Sequence, residues 1–123
     1  QIFIDRSISM GRLFCNIITG KTPSTKVFEN DKVYAFKDIN PQAPFHVLVV
    51  HKDHIKNIDE LNEKNSYIMS DIFLAINEIA KQEKLDKGYR VIINNGTAAG
   101  QVIWHLHVHI LAGKDDLGPM LVQ

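Results

Sequence analysis

Trp104-His105-Leu106-His107-Val108-His109-Ile110-Leu111 alternates imidazole with aliphatic side chains, and the reading of this stretch decides the fold. An extended strand sends successive side chains to opposite faces. The period of two therefore predicts one face carrying His105, His107 and His109 and another carrying Leu106, Val108 and Ile110. The aliphatic face needs a second layer to pack on, which places the strand in a sheet of a layered domain. The imidazole face makes a site. Three groups whose ordinary pKa lies at about 6.5 can divide the roles of nucleophile, proton donor and orienting group, or they can hold a metal ion.

Immediately upstream, Asn94-Asn95-Gly96-Thr97-Ala98-Ala99-Gly100-Gln101 forms a Gly-rich loop able to aim consecutive backbone N–H groups at an anion. Alone it reads as an ordinary turn. Beside a row of imidazoles it points to phosphorus chemistry, and the histidine strand is expected to span 102–111. Further out, Tyr89 to Ile93 reads as a strand. Ile68, Ile72, Ala75, Ile76 and Ile79 recur at helical spacing inside a main helix expected over 62–84 and closed near Gly88. Phe45 to His51 is almost continuously apolar, as a central strand should be. Lys26–Glu29 and Val33–Phe36 flank a turn at Asn30-Asp31-Lys32 and predict a hairpin. Leu13, Phe14, Ile17 and Ile18 mark a short first helix that Gly20 can end and Pro23 cannot continue. A helix, three strands, a helix and two strands give an α+β domain with a mostly antiparallel sheet.

The 123 residues, 45% hydrophobic, suit one domain over 1–123, with an N-terminal extension at 1–10 and a tail at 112–123. Fourteen basic residues balance fourteen acidic ones and no basic stripe stands out, which argues against a nucleic-acid partner held by backbone charge. Cys15 is the only cysteine, so an intrachain disulfide is excluded and a reducing cytoplasm fits. Ile2-Phe3-Ile4 is interrupted at once by Asp5-Arg6, too short for a signal peptide, and no run reaches the roughly 20 apolar residues of a membrane span. Because the chain begins at Gln1, a start further upstream is expected.

Two uses of the histidine row compete. Imidazoles two apart on a strand can chelate zinc, yet no fourth ligand stands at a clear spacing, Asp115 and Asp116 lying beyond Gly113. A purely structural row is disfavoured, since unpaired imidazoles are costly to bury. His46, next to Pro44, can reach the same face. His51 and His54 are expected in a solvated loop, and Cys15 as a small core residue.

Taken with these segments, His105-Leu106-His107-Val108-His109-Ile110-Leu111 resembles the signature of the histidine triad nucleotide-binding family. The likeness extends to Asp38-Ile39-Asn40-Pro41-Gln42-Ala43-Pro44 with His46, Gly88-Tyr89-Arg90 with Asn94, Gly100-Gln101, and Leu117-Gly118-Pro119-Met120. It is closest to the Hint branch, particularly bacterial members. The resemblance implies a homodimer whose two five-stranded sheets join into one of ten strands. It also implies a cofactor-free, metal-free hydrolase of purine nucleoside phosphoramidates or acyl nucleotides, releasing AMP or GMP. His107 would be the nucleophile, His109 would contact phosphate or leaving group, and His105 with His46 would orient the nucleophile's imidazole network. Asp38 would meet the ribose; Leu13, Phe14, Ile17, Phe36 and Ile39 would surround the base; and Asn94, Gly100, Gln101 and Val102 would lie near phosphate. Two departures stand out. Val102 occupies a position where the family often has Ser or Thr, and Arg12 replaces the first cysteine of a Cys-x-x-Cys that supplies half a zinc site in some bacterial relatives. A regulatory nucleotide-binding protein with vestigial hydrolysis and a strand-borne zinc hydrolase are the alternatives.

Overall fold

In the computed structural model, residues 12–120 are described; the expected N-terminal extension and the last residues of the tail lie outside them. The elements run α1 (Leu13–Ile18), β1 (Lys26–Glu29), β2 (Val33–Lys37), β3 (Phe45–His51), α2 (Tyr67–Gln82), β4 (Arg90–Ile92) and β5 (His107–Ala112). Short 3₁₀ turns at Ile58–Glu60 and Thr97–Ala99 were not foreseen from sequence. The five strands form one antiparallel sheet in the order β1-β2-β3-β5-β4.

The sheet has a packed layer on each face, which explains why β3 is apolar throughout. Its odd residues Val47 and Val49 join Val33, Ala35, Leu106, Val108 and Ile110 against Ile68, Ile72, Ala75, Ile76 and Ile79 of α2. Its even residues Leu48 and Val50 join Tyr34 and Phe36 against Leu13, Phe14 and Ile17 of α1. Burying each large aliphatic side chain contributes about 1.5–3 kcal/mol, and the α2 face holds the larger cluster of them. The α1 face is thinner, and there the imidazoles lie.

The largest differences from the sequence expectation are the starts of the main helix and of the histidine strand. The main helix starts at Tyr67 rather than 62, because Asn62 Oδ1 accepts from the N–H groups of Lys64 and Asn65 while Asn65 Oδ1 accepts from Asn62 N–H. These side chains offer the backbone an alternative to helix. It ends at Gln82, and Lys84 takes a left-handed φ of 55°. The histidine strand starts at His107 rather than 102. Its partner β3 ends at His51, with Val50 opposite His107, so residues further upstream have no ladder to join. The Leu106 N–H donates instead to the Ile55 carbonyl at 2.8 Å. His105 consequently sits in a bend just before the strand.

Beyond β5 the chain turns at Gly113, whose φ of +97° and close approach to Pro44 both require glycine: a Cβ there would stand 2.9 Å from the Pro44 Cβ. Among the described residues no helix is long and apolar enough to cross a membrane.

Candidate active site

The β3–β5 register creates the site. Leu48 pairs with His109 and Val50 with His107, so the imidazoles of β5 emerge on the α1 face and the diagonal neighbour His46 reaches His109. A cavity of about 320 Å³ opens there, floored by His46, His107 and His109, with Asp38, Asn94, Gly100 and Val102 among its walls. Phe14 from α1 closes it, its ring meeting the His107 ring edge-on at 5.0 Å between centroids.

Backbone partners fix the ring protons. His107 Nδ1 lies 2.8 Å from the His105 carbonyl, which can only accept, so Nδ1 carries the proton and Nε2 keeps its lone pair. The Gln42 N–H donates to His46 Nδ1 at 3.0 Å, so neutral His46 carries its proton on Nε2 and donates it to His109 Nδ1 at 2.9 Å. His109 in turn has its proton on Nε2. The site thus offers one imidazole with a bare nitrogen beside another with an N–H. Asp38 Oδ2 stands 3.5 Å from His46 Nε2. With His46 Nδ1 already accepting a backbone N–H, that contact joins a carboxyl to a neutral ring.

Burial keeps the rings neutral. Desolvation pulls the pKa of His109 down to about 4, with His107 and His46 lowering it further and Asp38 opposing. His107 and His46 are also lowered, chiefly by burial, against the raising effects of the His105 carbonyl on His107 and of Asp38 on both. At neutral pH His107 is therefore a base with an available lone pair rather than a cation.

Of the residues predicted to meet a nucleotide, Asp38, Phe14, Asn94, Gly100 and Val102 line the cavity. Leu13, Ile17 and Phe36 do not; they are core side chains beneath it. Ile39 is exposed and outside the lining. Gln101 is a correction. Its side chain, 3% exposed, donates to the carbonyls of Lys56 and Ile103 and accepts from Gly96 N–H and Asn57 Nδ2, which fills its hydrogen-bonding capacity. It clamps the loop and offers nothing to a ligand. His46 enters the imidazole network through His109, to which its Nε2–H donates. Sequence reasoning missed Asn40, Gln42, Leu48 and Ile103 as lining residues. The even-numbered face of β3 would have identified Leu48, and the Gln42 amide needed the folded turn.

His105 faces away from the cavity. Its ring is 1% exposed, and Nε2–H donates to the His51 carbonyl at 2.9 Å. Its Nδ1 lies 3.0 Å from His54 Nδ1 and 3.7 Å from Cys15 Sγ, and His54 Nδ1 lies 3.9 Å from that sulfur. His51, buried at the end of β3, is not a solvated loop residue; His54 is exposed on the loop as expected but sets its ring against His105, and Cys15 faces two imidazoles rather than only apolar core. Zinc bonded at about 2.0–2.3 Å would space tetrahedral donors by about 3.3–3.6 Å, close to these separations. Cys15, His54 and His105 therefore fit three corners of a zinc site. The expected fourth position, three residues before Cys15, holds the exposed Arg12. Asp38, His46 and His109 also lie close enough to hold an ion, at the cost of the His46–His109 hydrogen bond.

Comparison with known proteins places this geometry among relatives. The model of one protein family, described as HIT domain, matches residues 19–116. A protein named 14 kDa zinc-binding protein from Zea mays is 42% identical over 104 residues, covering 83% of this chain and 81% of that protein. Adenylylsulfatase HINT1 from Arabidopsis thaliana is 39% identical over 104 residues, covering 83% of this chain and 71% of its own length. Among solved structures, a HIT family hydrolase from Clostridium thermocellum superposes with a TM-score of 0.84 at 49% identity, covering 89% of this chain and 96% of that one.

Proposed function

The chain belongs to the HIT domain family, and we propose that it hydrolyses purine nucleoside 5′-phosphoramidates and acyl nucleotides, releasing the nucleoside 5′-monophosphate through a nucleotidyl-His107 intermediate. The observation that carries this reading is the His107 ring, whose Nδ1–H is spent on the His105 carbonyl while Nε2 keeps its lone pair beside the cavity.

In the first step Nε2 of His107 bonds to the α-phosphorus and the bond from phosphorus to the leaving amine breaks. Phosphorylation at Nε2 leaves the ring cationic, and the His105 carbonyl meets that charge through Nδ1–H. The amine departs with a proton. His109 supplies it as the imidazolium, a form that an anionic phosphate in the cavity favours and that forms only as Nδ1 gives up the hydrogen bond it accepts from His46 in the empty site. A positioned acid of this kind contributes about 10²- to 10⁴-fold. In the second step water attacks the phosphorus, the P–N bond to His107 breaks, the lone pair returns to Nε2, and the water's proton leaves through His109. Splitting the substitution through a covalent histidine replaces one difficult attack by two easier ones. The Asn94 side chain and the Gly100 and Val102 backbone suit the phosphate. Asp38 suits the ribose hydroxyls and Phe14 the base. The name of the HINT1 relative, adenylylsulfatase, supports an adenylyl phosphorus as the electrophile.

The same reading includes a homodimer. Phe73 and Leu74 of α2 and Val91 of β4 are exposed apolar side chains, and β4 is an unpaired sheet edge among the described residues, the kind of surface a second copy covers.

The test is direct. Incubation with adenosine 5′-phosphoramidate, a quench in mild base and intact-mass measurement should give a nucleotidyl adduct and free AMP. His107→Ala should give neither while still binding AMP. Wild-type protein that binds AMP yet forms no adduct and releases no product would overturn the proposal.

A further inference from the structure

His51 is the last residue of β3, on the face where Val47 and Val49 pack against α2, and an aliphatic side chain would be the ordinary occupant. The imidazole is 3% exposed and fully engaged. The Asp53 N–H donates to Nδ1 at 2.9 Å, so the ring proton lies on Nε2 and is donated to Asp71 Oδ2, near the start of α2, at 2.9 Å. Tyr67 packs its ring edge-on at 5.7 Å and donates its hydroxyl to Asp53 Oδ2 at 2.6 Å, closing a bracket around the ring.

The backbone of this residue leads to the reaction. The His51 carbonyl accepts from His105 Nε2–H at 2.9 Å, and the His105 carbonyl accepts from His107 Nδ1–H at 2.8 Å. Strand ends open more readily than strand centres, and here the sheet ends at the carbonyl that must hold His105. A buried, fully bonded polar pair restricts its neighbours to one arrangement.

We propose that the His51–Asp71 hydrogen bond positions the nucleophile, anchoring the end of β3 to α2 so that the His51 carbonyl holds His105 and the His105 carbonyl holds His107. His51 and Asp71 are positioning residues; neither lines the cavity. The inference rests on the reading of His107 as nucleophile, and its consequence is kinetic. Loosening the bracket should slow formation of the adduct with little change in substrate binding, because the groups that hold the nucleotide are elsewhere.

The test uses Asp71→Ala, which removes the acceptor, and Asp71→Asn, which keeps an acceptor oxygen. Asp71 is partly solvent-accessible, so both variants are expected to fold. Rapid-quench measurement with adenosine 5′-phosphoramidate should find adduct formation slowed about fivefold or more in Asp71→Ala, half-saturation unchanged, and the rate largely restored in Asp71→Asn, since small displacements of a reacting group carry large rate penalties. Nitrogen-15 NMR of the imidazoles should find the His105 Nε2–H exchanging with water faster in Asp71→Ala than in wild type or Asp71→Asn. An Asp71→Ala protein with the wild-type rate and unchanged exchange at His105 would overturn the inference. A wild type that forms no adduct refutes the proposed function instead, and the exchange comparison then still decides whether Asp71 holds His105.

Discussion

Acidification from about pH 7 to about pH 5 should cost this fold about 2 kcal/mol through His105 alone. The ring is 1% exposed, and desolvation holds its folded pKa at about 4, against about 6.5 for an unhindered imidazole. Between those two values the unfolded chain binds a proton at this position and the folded chain does not. Stability therefore rises with pH across the window: it is fully present above about 6.5 and is lost progressively as pH falls toward 4. Carried through to the folded pKa, the shift amounts to about 3 kcal/mol. His109, His107, His46 and His54 are shifted in the same direction, so the whole protein should lose more than His105 alone accounts for. Urea unfolding followed by fluorescence of Trp104, the single tryptophan, gives the free energy at each pH. His105→Gln keeps a donor for the His51 carbonyl and removes the titration, so its stability should fall less steeply over the same range. Equal pH slopes in wild type and His105→Gln would refute the argument that a buried neutral imidazole at this position sets acid sensitivity.

Gln101→Ala should loosen the loop that carries Gly96 and Gly100, so its affinity for AMP and for inorganic phosphate should fall while adenosine binds as before; calorimetry with the three ligands distinguishes this from direct contact with the base. Gly113→Ala places a methyl group 2.9 Å from the Pro44 Cβ at a φ of +97°, and a loss of about 1–3 kcal/mol in denaturant unfolding is expected.

The sequence made the sheet legible because its code is local. Alternation at His107–Leu111 assigned both faces of β5 correctly, although His105 lies in the bend before the strand and outside the cavity, and the unbroken apolar run of β3 revealed a strand covered on both sides. Helix α2 was legible from its isoleucines, but its first turn was not, since competition from Asn62 and Asn65 depends on side-chain hydrogen bonds that periodicity does not register. The start of β5 was hidden for a different reason: a strand needs a partner, and where β3 stops is a property of the other strand. Gln101 looked like a ligand contact because it adjoins a Gly-rich loop, whereas its side chain is taken up by Gly96 and Ile103 nearby and by Lys56 and Asn57, which are distant in sequence. His51 was assigned to solvent on the strength of a polar neighbourhood; His54, exposed as expected, still meets His105. Nothing local to them announces Asp71 or His105.

The three imidazoles that alternate so regularly are made unequal by main-chain groups. His105 and His107 each donate to a carbonyl from opposite ring nitrogens, Nε2 in one and Nδ1 in the other, while His109 accepts at Nδ1 from His46, whose own proton is placed by the Gln42 amide. A carbonyl can only accept and an amide N–H can only donate, so these partners dictate the tautomers wherever the rings are neutral. Burial makes them neutral. The same desolvation that renders the fold sensitive to acid therefore gives His107 its lone pair, and a more exposed row would gain acid tolerance by losing the fixed assignment of base and donor. Acid sensitivity and nucleophilicity are two consequences of one packing decision, the closure of α1 and Phe14 over the histidine face of the sheet.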